Sequence, residues 1–179
     1  MGENSRFWVA FSILLLAFAL FTIMSVWMTI QAHAEPLPSP PIVHITDDPG
    51  GNVGVYYQKY AALDAAGAEV HFHGMCASAC GIVLFQRFTH IRACADDGAI
   101  FGFHKPFQER DGKVVRTKSA VRDTRKLWAM WLRALPDPLR KYLQRVRVPS
   151  AAEGDEQNVM LILPGSLLLP KCPMTIAAQ

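Results

Sequence analysis

Two hydrophobic patterns divide the chain. From Phe7 to Ile30 the sequence runs 24 residues without a charge, whereas from Ile42 onward the apolar residues come in short runs broken by turn residues. The first stretch is long enough to cross the roughly 30 Å hydrocarbon core as a helix with some tilt. It follows Arg6 and precedes Ala32-His33-Ala34, a small-x-small pattern that a signal peptidase reads, which would leave Glu35 as the new terminus. Its length exceeds the roughly 7 to 15 apolar residues of a cleaved signal, which argues for a retained anchor. Residues 1–34 are therefore read as a signal peptide or a membrane anchor, with the apolar helix at 7–30. Both readings carry the rest of the chain across the cytoplasmic membrane, because Arg6 is the only cation near the segment and none follows until Lys59.

Residues 35–41, EPLPSPP, hold four prolines in seven positions and read as an extended tether. The domain spans 42–179. Ile42 to Thr46 is apolar and β-branched and reads as a buried strand, stopped by Asp47-Asp48-Pro49-Gly50-Gly51. From Val53 to Ala66 apolar and small residues recur at helical spacing, with Gly67 as the C-cap, and Ala68 to His73 reads as a second strand. The turn Gly74 to Ser78 leads into Ala79 to Phe88, an apolar helix or helical start with Ser78 near its N-cap. Ile91 to Cys94 and Ala99 to His104 are strands split by Asp96-Asp97-Gly98. After Lys105-Pro106 comes a polar loop, then a helix over Ser119 to Leu135 with Val121, Trp128, Trp131 and Leu135 on one face. Asp137-Pro138 starts another, in which Leu139, Tyr142, Leu143 and Val146 oppose Arg140, Lys141, Arg145 and Arg147. Asn158 to Leu169 is apolar with a Pro-Gly break and packs as a strand or short helix. Strand and helix alternate, the pattern of an α/β domain whose parallel sheet carries flanking helices.

Composition changes this picture in two places. The net charge is +3, yet 13 of the 18 Lys and Arg fall between Lys105 and Arg147 against four Asp and Glu, so that region is locally about +9. Beyond the cytoplasm this excludes a nucleic-acid partner and leaves solvated helix faces first, contact with anionic lipid headgroups second. The four cysteines, Cys76, Cys80, Cys94 and Cys172, are expected to pair in an oxidising compartment. Three complete pairings are open. A bridge from Cys94 to Cys76 or Cys80 is the first expectation, since it ties a strand to the turn before it.

Ser78 is the most informative polar residue. A serine at a strand-to-helix turn presents its hydroxyl where unpaired amides and the helix dipole favour negative charge, the environment of a tetrahedral oxyanion. On local sequence alone an ordinary N-cap serine fits as well. His104 ends a strand just before a proline, so at the C-terminal edge of a parallel sheet it faces the same crevice and is placed to take the serine proton. The Gly50-Gly51 turn ends the first strand at that edge and offers a backbone N–H.

Together, Asp48-Pro49-Gly50-Gly51, Gly74-Met75-Cys76-Ala77-Ser78-Ala79 and Phe101-Gly102-Phe103-His104-Lys105-Pro106 resemble the proteolytic subunit of Clp protease and the wider Clp/crotonase superfamily. The spacing is similar too, with 27 residues from Gly51 to Ser78 and 26 from Ser78 to His104. The resemblance implies Ser78 as nucleophile, His104 as base, and Gly50 and Ala79 as oxyanion amides. It covers about Ile42 to Pro106. Members of that superfamily usually carry another strand and helix before the Pro-Gly-Gly turn, so the sheet is expected to be reduced here. For the third member, normally an aspartate that orients the histidine, Asn158 lies nearest, with Asp155 a loop alternative. An asparagine can hold the ring but stabilises imidazolium poorly, which favours slow turnover or none. Exported relatives of the superfamily include signal peptide peptidases with a serine and lysine pair, but Lys105 points to the opposite strand face from His104 and is not favoured as base.

A competing reading makes His71, His73, Cys76 and Cys80 a metal site, since the two histidines share a strand face and imidazole plus thiolate suits zinc or copper. Oxidation of the cysteines argues against it, and no metal or cofactor is assigned. The sequence thus points to an exported serine hydrolase of peptidase type acting on a peptide or protein, with room for a homo-oligomer. The alternative is a non-catalytic binding or assembly module of the same fold.

Overall fold

The computed structural model describes residues 20–22, 24 and 39–173. The elements are β1 (Ile42–Asp48), α1 (Val53–Ala65), β2 (Glu69–Ala77), a 3₁₀ helix (Ser78–Leu84), β3 (Arg92–Ala95) and β4 (Ile100–Phe103). They continue with β5 (Glu109–Arg110), β6 (Lys113–Val114), α2 (Lys118–Ala134), α3 (Asp137–Arg145) and β7 (Leu161–Pro164). The domain is α/β. Its main sheet runs β1-β2-β4-β7, with β3 also paired to β2. Strands β1, β3 and β4 all run parallel to β2, while β7 is antiparallel to β4, so the sheet is mixed rather than wholly parallel. Helix α1 carries the chain from β1 to β2 and the 3₁₀ helix begins the return to β3, after which β3 and β4 follow one another along β2 through a short turn.

The register sorts residues onto two faces. Val43 and Ile45 lie beside Val70 and Phe72, which lie beside Ala93 and Ala95, and this face meets the core. Phe72 is fully buried and its ring lies 5.1 Å from that of Phe101. On the opposite face His44 is level with His71, and His71 with Cys94. Only Ile45 of β1 is buried, so the expected buried strand is an edge strand whose outer side faces water.

Helix α1 starts where expected because Asn52 Oδ1 accepts from the amides of Gly54 and Val55 at 2.9 and 3.2 Å. Gly67, at φ 61°, ends it. In α2 the Thr117 hydroxyl caps the Ala120 amide, and Pro138 sits in the first turn of α3. Trp131, Leu135, Leu139 and Leu143 belong to the buried core cluster, while the basic residues of both helices are exposed except for the half-buried Arg140.

Four expectations need correction. Gly74 to Ala77 is strand, not turn, because β2 continues through a bulge opposite Ile45 and Asp47. A Cβ at Gly74 would stand 1.7 Å from the Thr46 carbonyl oxygen, so only glycine allows the two backbones to approach there. The apolar run after Ser78, expected as a helix or helical start over Ala79 to Phe88, is a 3₁₀ helix that ends earlier, at Leu84. The polar loop contains a hairpin whose Asp111 and Gly112 both have positive φ, the Asp-Gly signature of a tight turn. Finally, the disulfides are Cys76–Cys80 and Cys94–Cys172, not a link from Cys94 to Cys76 or Cys80. Cys94 is level with His71, and five strand residues from there to Cys76 span roughly 16 Å, beyond the roughly 7 Å that a disulfide bridges. Two disulfides and no free cysteine fit an oxidising, extracytoplasmic compartment.

Among the described residues no helix is long and apolar enough to cross a membrane. The signal or anchor expected at 7–30 lies outside them, apart from the helical residues Leu20, Phe21, Thr22 and Met24.

Candidate active site

Ser78 and His104 directly follow β2 and β4, Gly50 lies two residues past the end of β1, and because these strands are parallel all three lie at the same sheet edge. There they line one cavity of about 680 Å³, together with Phe107, Trp131 and Asn158. The side chains of Ser78 and His104 share this space without a hydrogen bond between them among the described residues.

Ser78 is the first residue of the 3₁₀ helix rather than its cap, and Ala77 takes the cap position. Its φ is 54°, in the left-handed region, where a side chain costs about 1 kcal/mol or more. The Cys76–Cys80 disulfide straddles it and closes the turn covalently. Gly50 packs directly on this turn. A Cβ there would lie 2.4 Å from the Ala77 carbonyl oxygen, 2.8 Å from Ser78 Cβ and 2.9 Å from the Ala79 nitrogen, so the turn and the glycine loop fit only without a side chain.

The two expected oxyanion amides differ. The N–H of Ala79, in the first turn of the 3₁₀ helix, has no backbone partner outside that helix among the described residues, but Ala79 is buried and does not itself line the cavity. The Gly50 N–H instead donates to Asp48 Oδ1 at 2.9 Å, so in this conformation it is engaged. Asp48 is an unexpected organiser of the loop. Its carboxylate also accepts from the Tyr56 hydroxyl and from Lys59 Nζ. Burial pushes the Asp48 carboxyl up, but the hydrogen bonds from Tyr56 and Gly50 and the Lys59 charge outweigh it and leave it below its ordinary value. Burial and the adjacent Asp48 push the Tyr56 hydroxyl up to about 12. Sequence signalled this only as a turn containing Asp-Pro-Gly. The partners Tyr56 and Lys59 come from α1.

His104 Nδ1 donates to the Lys105 carbonyl oxygen at 2.9 Å. That bond fixes the tautomer and leaves Nε2 as an acceptor, the state a general base needs. Burial lowers the His104 pKa, opposed in part by the carbonyl, so the ring is neutral at pH 7. Of the two expected third members, Asp155 makes no hydrogen bond to the imidazole among the described residues. Its carboxylate holds Arg147 at 2.6 Å and the Ser150 amide at 2.8 Å, because its loop folds back on itself. Asn158 does line the cavity, although His104 Nδ1 is already taken by the carbonyl. Trp131, on the cavity wall, keeps a buried Nε1–H with no partner among the described residues.

Lys105 Nζ binds Glu153 at 2.8 Å, and Arg125 of α2 binds the same carboxylate. Those two cations hold Glu153 down to about 2. The ammonium is thereby directed away from serine chemistry. His71 and His73 do come together, but Cys76 and Cys80 are bonded to each other and supply no thiolate, so the four-residue metal set is not formed. Neither a protein-family model nor a curated protein matches the chain.

Proposed function

We propose that this chain is an extracytoplasmic serine hydrolase of Clp/crotonase type with a reduced sheet, tethered or released by its N-terminal segment and acting on a peptide or protein. The observation that carries this reading is the backbone of Ser78: a non-glycine residue at φ 54°, at a strand end, lining a cavity with a neutral imidazole. Strained serines at strand-to-helix turns expose their hydroxyl to substrate. In such a site Ser78 Oγ attacks a carbonyl, His104 Nε2 takes its proton and returns it to the leaving group, and the Ala79 N–H faces the developing oxyanion. Orienting the imidazole falls to the Lys105 carbonyl, which holds the ring without adding a negative charge behind the imidazolium. Turnover is therefore slow relative to a carboxylate triad.

A second reading, a binding module that has kept the fold without catalysis, is favoured by that same missing carboxylate and by the lack, among the described residues, of a hydrogen bond between Ser78 and His104. A fluorophosphonate probe separates the two. Labelling of the full chain that disappears in Ser78→Ala supports the hydrolase. Folded wild-type protein that never reacts supports the module.

A further inference from the structure

Beyond the serine site, the opposite face of β1 and β2 gathers three imidazoles. His44 and His71 are level in the parallel register, His73 follows two residues on, and one ring nitrogen from each lies within 4.8 Å of the others. His44 is exposed, His73 half-buried and His71 buried, so the cluster has a dry floor and a solvent-facing mouth. His44 Nδ1 and His73 Nε2 already face each other at 2.8 Å, sharing a proton. The far nitrogen of His73, Nδ1, is held by Asp96 Oδ2 at 2.6 Å, and His71 Nε2 sits 3.4 Å from Glu69 Oε2. In His73 one ring nitrogen turns into the cluster while a carboxylate holds the other, the arrangement that orients metal-bound histidines.

From this geometry we infer a zinc site formed by His44, His71 and His73, with Asp96 as the outer carboxylate on His73 and the fourth position open to water or a ligand. Two ligands of a tetrahedral zinc ion with bonds of about 2.0–2.1 Å stand about 3.3 Å apart. Replacing the shared proton of His44 and His73 by zinc thus needs a ring movement of about 0.5 Å, and drawing His71 in from within 4.8 Å needs up to about 1.5 Å. The outward side chain of an edge strand accommodates the first movement. The neighbouring sulfurs of Cys94 and Cys172 are bonded to each other and supply no thiolate, so the donor set is nitrogen only, suited to zinc rather than to a soft monovalent metal.

The test titrates Zn²⁺ into the oxidised, chelator-stripped full chain, with Co²⁺ absorption as the report on coordination. One ion per chain is expected. His44→Gln, at an exposed position that does not threaten folding, weakens binding more than about tenfold, and Asp96→Asn weakens it by about 10–100-fold through loss of ring orientation. His104→Gln leaves uptake unchanged, which separates this site from the serine cavity. Failure of the wild type to take up one equivalent, or uptake unaltered in both His44→Gln and His73→Gln, overturns the inference.

Discussion

The two disulfides do different work in two regions of the molecule. Cys94–Cys172 joins residues 78 apart and pins the C-terminal segment along β3, where Ala95 also exchanges hydrogen bonds with Pro170 and Cys172. Cys76–Cys80 joins residues only four apart and encloses the left-handed Ser78. Loop-closure entropy grows with the enclosed length, giving about 4 kcal/mol for the long bridge and about 2 kcal/mol for the short one. Fold stability thus leans on the bridge remote from the cavity. The geometry of the serine leans on the other.

That contrast can be broken at either end. Replacing Cys94 and Cys172 together by serine should lower unfolding stability by about 4 kcal/mol in a denaturant titration while the folded fraction still reacts with the fluorophosphonate at its original rate. Cys76→Ser with Cys80→Ser should invert the ranking. Stability falls by only about 2 kcal/mol, but labelling slows by about 100-fold, because a shift of about 1 Å at the nucleophile is enough for that. Equal labelling in the two double variants would show that the short bridge plays no part in presenting Ser78.

The pH profile sharpens the comparison further. Burial lowers the His104 pKa, and a base acts only when unprotonated, so labelling should persist below the ordinary histidine value near 6.5 and fall only as pH drops through the lowered one. The long-bridge variant should keep the same acid limb. An acid limb at or above 6.5 would mean that the imidazole is solvated. The smallest effect is expected at Lys105→Met. Loss of its partly exposed pair with Glu153 costs about 1 kcal/mol or less and leaves labelling in place, whereas a serine and lysine mechanism would lose it entirely.

The alternation of strands and helices was legible because periodicity and turn residues act locally. So was the convergence of Gly50, Ser78 and His104, since parallel strands joined by crossovers end on one side. What escaped depends on contacts between distant residues. Gly74 reads as a turn in one dimension, yet it is the point where β2 passes closest to Thr46. The 3₁₀ turn after Ser78 reflects a covalent ring that cysteine spacing alone did not specify. The carbonyl that holds His104 belongs to the next residue's backbone and leaves no mark in side-chain identity. His44 joins His71 and His73 only through the register of β1 on β2. One miss had a signal available: Asp111-Gly112 announced the hairpin within the stretch read as loop.

The ring around Ser78 has a practical consequence for how this protein is made. Chain produced in a thiol-rich cytosol, or kept in buffer containing dithiothreitol, retains every cavity side chain while the segment that displays the hydroxyl is untied. Inactivity in such a preparation would describe the reduced form alone, and material recovered from an oxidising secretory route is the proper starting point for any substrate screen.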